Sequence, residues 1–428
     1  MSTGPTSAPT STVSARAQSA IVGLMFGLSV MSYFDRTIFA IATPSIMKEF
    51  GISAVMMGAV TFAFQISYAL VMIPGGRLAD RFGPRVVLTA MALGSAFFTA
   101  MMPFGATPGL GTLIGVVPGL ILMRIGFGIF TAPIYPTCTK TNANWIPLKN
   151  RARATGCANA GAGFGGAVSP ILFTWMISRY GWRTSFLWAG LATAILGIGW
   201  FLYVRDYPRG AEPPKVPATR VLAPWRALLT DKNLILLTLG FGALDYFEYI
   251  FFYWIFYYLG EIRQLGATES ARYTTLLFLA WVLMMPMGGF LCDRLMARFG
   301  HKLGLRLVAC TSMAFSAVLL FAGVNATGTL SAVTLMALAL GFAAIADVTY
   351  WTATIGVAGV HAGTAGGIMN TGGNIGGGLA PVVTPWIASF AGWSWGLYFG
   401  CFMALAAMVA WLFTDPTRRI KIPAAASR

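Results

Sequence analysis

The chain has 428 residues, of which 57% are hydrophobic and 10% charged, with a mean hydropathy of +0.72. Soluble domains carry about 25% charged residues and disorder needs low hydrophobicity, so a water-exposed globule and a disordered chain are both excluded. The formal charge of +16, from 29 Lys+Arg against 13 Asp+Glu, then belongs to the loops of a membrane protein rather than to a nucleic-acid surface.

Residues 1–18 are Ser/Thr/Pro-rich and are expected to form a disordered cytoplasmic tail. The first apolar stretch, 19–42, is too long for a signal-peptide core and contains Asp35-Arg36, so it is not read as a cleaved leader. Further apolar stretches fall near 55–78, 85–105, 109–135, 153–177 and 182–204. A polar, Pro-rich segment over 205–232 follows, then six more apolar stretches near 233–260, 271–292, 303–324, 328–354, 363–389 and 393–414. At about 20 residues per crossing, this predicts an all-α membrane protein of twelve transmembrane helices. They form two six-helix bundles, 19–204 and 233–414, joined by a cytoplasmic loop over 205–232 and followed by a cytoplasmic tail over 415–428. Sorting the basic residues onto alternate sides puts 22 on the side of the termini and five on the other, leaving Arg36 and Arg124 inside spans. By the positive-inside rule both termini are cytoplasmic and the expected location is the inner (plasma) membrane. Five cysteines form no CxxC pair, and His301 and His361 stand alone. Neither a metal site nor a cofactor is expected.

The two halves resemble each other. Gly156–Trp182 lies on Gly367–Trp393 at a constant offset of 211 with ten identities, among them Asn159 on Asn370, Pro170 on Pro381 and Gly181-Trp182 on Gly392-Trp393. A second echo links Gly76-Arg-Leu-Ala-Asp80-Arg81 to Gly289-Phe-Leu-Cys-Asp293-Arg294. Such a duplicated six-helix unit is an architecture used for alternating access around a central site.

Gly76-Arg-Leu-Ala-Asp80-Arg81-Phe-Gly83-Pro-Arg85 between spans 2 and 3, with its weaker copy from Asp293-Arg294 to Lys302, resembles the signature loop of the major facilitator superfamily. Within it the chain is similar to the anion:cation symporter family. Four stretches carry that likeness: Tyr33-Phe-Asp35-Arg36, Arg124 with Ala132-Pro133-Ile-Tyr-Pro136, Gly181-Trp182-Arg183 with Val204-Arg-Asp-Tyr-Pro208, and Gly367-Ile-Met-Asn370-Thr-Gly-Gly-Asn374-Ile-Gly-Gly377. The resemblance implies proton-driven import of small organic anions such as sugar acids, by a protein that works as a monomer. It also makes Asp80, Arg81, Asp293 and Arg294 gate residues. One departure stands out: the sugar-acid branch usually carries a proton-coupling glutamate just before the Ala-Pro of span 4, where this chain has Thr131.

Charges inside a bilayer are costly and usually face the bundle interior. Six qualify: Asp35, Arg36, Arg124, Asp245, Glu248 and Asp347. Arg36 is the first candidate for the substrate carboxylate, since its planar fork makes bidentate pairs and stays charged; the resemblance implies the same role. Adjacent helix residues point about 100° apart, so Asp35 faces elsewhere, as a proton site or a structural ion. Arg124 either clamps a second carboxylate or pairs with Asp35. Asp245 and Glu248 share one face of span 7, in a stripe continued by Tyr249, Tyr253 and Trp254. Glu248 is the candidate to take over the proton role left by Thr131, and Asp347, four residues before Trp351, is a further one. Tyr249, Trp351, Asn370 and Asn374 are candidates for contacting substrate, the asparagines through amide donors and acceptors, and the resemblance implies the same for Tyr68.

The sequence therefore predicts a secondary transporter that carries a small organic anion inward with protons. An uncoupled facilitator or an anion exchanger is the alternative that Thr131 encourages. No nucleophile elbow or phosphate loop supports an enzyme.

Overall fold

A computed structural model describes residues 14–146, 148–208, 225–359 and 362–420. Most of the N-terminal tail (1–13), the middle of the expected central loop (209–224), His361 and the chain end (421–428) lie outside the described residues. So does the side chain of Asp80.

The described residues are helical almost throughout, with no strand among them. Span 1, Ala15–Phe50, starts at Ser14, whose hydroxyl accepts the Ala17 amide, and stops at Gly51 with φ 65°. Spans 2 and 3 share the run Ala54–Ala100, spans 5 and 6 share Leu148–Tyr203, and spans 8 and 9 share Gly266–Asn325. Span 4 consists of Val116–Thr131 and Ile134–Trp145, on either side of Ala132-Pro133. Span 7 is Lys232–Tyr253, span 10 is Thr329–Ala358, span 11 is Ala362–Ala391 and span 12 is Trp393–Phe413. Nine helical stretches among the described residues are long and apolar enough to cross a membrane. Two of them, Gly156–Tyr203 and Gly266–Asn325, are each two crossings long. Dividing those and adding the Gly- and Asn-rich span 11 gives twelve.

The shared runs are divided by glycines. Gly83 (φ 82°, ψ 154°) and Gly300 (φ 80°, ψ 163°) turn the chain at the end that carries the termini. Gly181 (φ 77°, ψ 162°) and Gly392 (φ 89°, ψ 161°) do so at the opposite end. This region of backbone space is open essentially to glycine alone. The same conformation at matched points of both halves is the duplication written in the backbone. A methyl added at Gly181 would meet no atom within 4 Å, so Gly181→Ala isolates the backbone term. It is expected to lower stability by about 1–3 kcal/mol in a detergent melt. Gly289→Ala, equally open but in ordinary helical backbone, is expected to be neutral or stabilising.

Large apolar side chains cover the outside, Leu202, Leu239 and Phe413 being 74%, 65% and 66% exposed; such a surface suits lipid, not water. Within each half, span 1 packs on the span 5–6 run, and span 7 packs on spans 11 and 12. The halves meet mainly where span 2 lies on span 11 and span 5 approaches span 8. The first contact has a clear cause. Pro385 has no N–H, which frees the carbonyl of Pro381 one turn earlier. Trp254 Nε1 donates to that oxygen at 3.2 Å, and Gly58 lays its backbone against it where any side chain would collide.

Candidate functional site

Tyr33, Arg36 and Thr37 fall on one face of span 1 because they stand three and four residues apart. They line a cavity with Tyr249, Phe252 and Tyr253 of span 7. Arg36 is 7% exposed. Its guanidinium carbon lies 4.3 Å from the ring centre of Tyr68, 5.0 Å from that of Phe64 and 5.1 Å from that of Tyr33. Aromatic faces attract a cation but leave its donors free: Nε and Nη2 of Arg36 have no hydrogen-bond partner. Asp35 points away, accepting a hydrogen bond from Thr193 of span 6 at 3.0 Å.

Arg124 is fully buried and lies 4.6 Å from the centre of the same Phe64 ring, with Phe39 at 4.5 Å and Phe127 at 5.4 Å. None of its three side-chain nitrogens has a hydrogen-bond partner. Its pairing with Asp35 is not found among the described residues. Thr131, at the end of the first segment of span 4, donates to the Phe127 carbonyl at 2.7 Å. It offers Arg124 no negative charge.

The other half supplies hydroxyls, amides and acids. Tyr249 donates to Asn374 Oδ1 at 3.3 Å, and Asn374 Nδ2 donates to the Asn370 carbonyl at 2.8 Å. Asn370 itself turns to Met72 Sδ of span 2 at 3.1 Å, so it braces the two halves. Tyr253 donates to Gln65 Oε1 at 3.1 Å. Gln65 is wholly buried and its Nε2 is unpaired. Glu248 accepts from Trp281 Nε1 at 3.1 Å, and Asp245 lies against Gly373 of span 11. Glu248 feels the charges of both Asp245 and Asp347. Trp351 is 37% exposed and packs on Phe241 and beside Gly366, so it is not brought to the Arg36 cavity.

Sequence reasoning left Gln65 and Phe64 unnamed. The available signal was spacing, since Gln65 is the polar residue three before Tyr68 and therefore shares its face. Phe64 gave none, because one phenylalanine among 31 is indistinguishable from packing.

The cavity at Arg36 holds about 20 Å³, room for about one water. One turn further along spans 1 and 7 lies a vestibule of about 330 Å³ at the end opposite the termini. Ile41, Pro44, Lys48, Thr174, Phe256 and Glu261 are among its walls. Ile41 and Phe256 line the vestibule and Tyr253 lines the cavity.

At the end with the termini, Arg81 is exposed with its guanidinium 5.2 Å from the Phe82 ring, and Asp293 and Arg294 are exposed. None of the three has an ion-pair partner among the described residues. Loop aspartates instead fasten each half. Asp206 Oδ1 accepts the Arg85 amide at 2.8 Å, while Asp415 takes Lys302 Nζ at 2.6 Å and Thr417 Oγ1 at 2.6 Å. Lys302, and then Thr417, hold the Asp415 carboxyl below the usual carboxylate range. A group with a depressed folded value gives stability above its unfolded value, about 4, and loses it as pH falls. The melting temperature of the wild type is therefore expected to fall toward that of Asp415→Asn as pH drops from about 5 to 3, with a constant difference above that. At the opposite end Arg183 makes a two-pronged pair with Glu49 at 2.6 and 3.0 Å, and Trp182 Nε1 donates to the same carboxylate at 2.8 Å.

A model of the Major Facilitator Superfamily matches residues 25–381 and 295–428. A probable sulfoacetate transporter of Cupriavidus necator is 28% identical over 94% of this chain and 95% of its own length. A hexuronate transporter of Bacillus subtilis is 29% identical over 87% of the chain and 88% of its own. A probable L-galactonate transporter of Escherichia coli is 29% identical over 87% and 83%. Among solved structures, a bacterial homologue of the human lysosomal transporter Spinster superposes with a TM-score of 0.79 at 18% identity, covering 96% of this chain and all of that one. A D-xylose–proton symporter superposes at 0.75 and 17%, covering 93% and 98%. Two packed six-helix halves around a buried polar centre, with a family match over most of the length, make this chain a membrane transporter, not an enzyme, of the major facilitator superfamily.

Proposed function

We propose that the protein imports a small organic anion, a sugar acid or related carboxylate, together with protons, by alternating access in the inner membrane. The observation that carries this reading is Arg36: a buried guanidinium with free donors, walled by Tyr33 and Tyr68, beside a cavity to which both halves contribute. A buried cation without a counter-ion is costly, and an incoming carboxylate relieves that cost. The names of the relatives support the substrate class.

Tyr249, Asn374 and Gln65 supply donors and acceptors that suit hydroxyls. Asp245, Glu248 and Asp347 take the coupling role that Thr131 cannot fill, because a proton relieves their mutual repulsion. The basic-residue asymmetry supports cytoplasmic termini, and the matched glycine turns support a division into 19–204 and 233–414. Asp80, Arg81, Asp293 and Arg294 act as gate residues in another conformer. Thr131, its hydroxyl spent on a backbone carbonyl, favours the second reading, an uncoupled facilitator or exchanger.

The deciding experiment is external pH in lightly buffered, de-energised cells as sugar acids are added. Alkalinisation that disappears in Arg36→Ala cells is expected. Labelled anion uptake without a pH change would leave the second reading, and no response to any anion would reject both.

A further inference from the structure

Two cations, not one, stand unpaired in the N-terminal half. Arg124 is 0% exposed and Arg36 is 7% exposed. Five of their six side-chain nitrogens are buried without a hydrogen-bond partner. No acid makes an ion pair with either guanidinium among the described residues. Asp35 accepts from Thr193, Glu248 accepts from Trp281 and Asp245 lies against Gly373. Burying a charge costs several kcal/mol unless a partner is in place; aromatic faces offset only part of that. A single carboxylate on Arg36 would leave Arg124 as it stands.

Both guanidinium carbons lie within 5.0 Å of the centre of one ring, Phe64. The two charges are thus close enough to be met by the two ends of one short molecule. From this juxtaposition we infer that the site is built for a short organic dianion, with one anionic group on Arg36 and the second on Arg124. The inference rests on the reading of Arg36 as the carboxylate anchor and narrows it to doubly charged substrates. Gln65, Tyr249 and Asn374 then address the groups between the two ends. Arg124 is a specificity-determining residue that separates dianions from monoanions.

The test is binding to the purified full-length protein in lipid nanodiscs, by calorimetry at fixed salt. Six-carbon aldarates are compared with the aldonates of the same stereochemistry, which differ only in a terminal carboxylate against a terminal hydroxymethyl. The aldarate of at least one pair is expected to bind about 10- to 100-fold more tightly, the range for a charge-assisted hydrogen bond. In Arg124→Gln the aldarate-to-aldonate affinity ratio is expected to fall to about one; Arg124→Lys is expected to keep part of it. Aldonates that bind as tightly as their aldarates would overturn the dianion inference and leave the Arg36 reading standing. Equal weakening of both by Arg124→Gln would assign Arg124 a structural role and also overturn it. Binding of neither class would overturn both. If Arg124→Gln does not fold, the wild-type comparison alone decides.

Discussion

Arg36→Ala is expected to abolish transport while leaving the protein at least as stable as the wild type. The two effects have one cause. Removing one partner of a buried, hydrogen-bonded charge pair costs about 2–5 kcal/mol, which is roughly 30- to 5,000-fold in affinity for the anion. In the substrate-free state, however, the guanidinium has no ionic partner and lies 7% exposed among three aromatic rings. Its removal takes away an uncompensated charge, which offsets the lost cation–π contacts, about 0.5–2 kcal/mol, and the lost packing of its stem. Arg36→Lys is expected to fail almost as badly in transport, because an ammonium cannot make the two-pronged contact. Labelled-anion uptake in vesicles and a thermal melt of the same preparations check both halves of the statement. A melting temperature that drops steeply in Arg36→Ala would assign the residue to structure. Unchanged uptake would remove it from the site.

The fold was legible because its signals are cheap to read in an apolar chain. Length of apolar stretch, the side on which basic residues accumulate and a ten-identity internal match are each properties of the string, and the first follows from lipid having no water to offer a backbone. The glycines at 181 and 392 were visible as matched residues. That both carry φ near 80° with extended ψ was not, since a Gly-rich helix uses most of its glycines for close packing.

The candidate site was legible only where charge made it so. Arg36 and Arg124 stand out because the bilayer penalises them, but whether Arg124 met Asp35 depended on how span 1 turns toward span 6. The structure points Asp35 at Thr193. Asn370 read as a hydroxyl reader and serves as a brace to Met72, and Trp351 packs on Phe241. Such distinctions depend on which helix lies opposite. No single-chain periodicity encodes that, whereas the i, i+3 and i+4 grouping of Tyr33, Arg36 and Thr37 is encoded.

Glu248→Gln is expected to separate the proton from the substrate. Glu248 is 4% exposed, shares span 7 with Asp245 and feels Asp347 across from span 10. Its only hydrogen bond among the described residues comes from the Trp281 indole, which donates equally well to a glutamine carbonyl, so the substitution conserves shape. Asp245 and Glu248 are buried and Asp347 is half-buried beside them; such neighbouring carboxylates repel one another, and binding and release of one proton is the smallest change that alters that balance. If this proton travels with the substrate, a gradient of one pH unit supports about tenfold accumulation per proton in vesicles whose membrane potential is clamped at zero. The Gln variant is expected to equilibrate at a ratio near one while exchanging labelled for unlabelled anion at close to the wild-type rate, because Arg36 and the cavity are untouched. Asp35→Asn, whose amide oxygen can still accept from Thr193, is expected to keep the tenfold ratio. Accumulation retained in Glu248→Gln and lost in Asp347→Asn would move the proton one helix over within the same acidic group. Accumulation retained in both and lost in Asp35→Asn would return coupling to span 1. A wild type that never exceeds a ratio of one under the same gradient would leave these carboxyls as neighbours of the path and the protein as an exchanger.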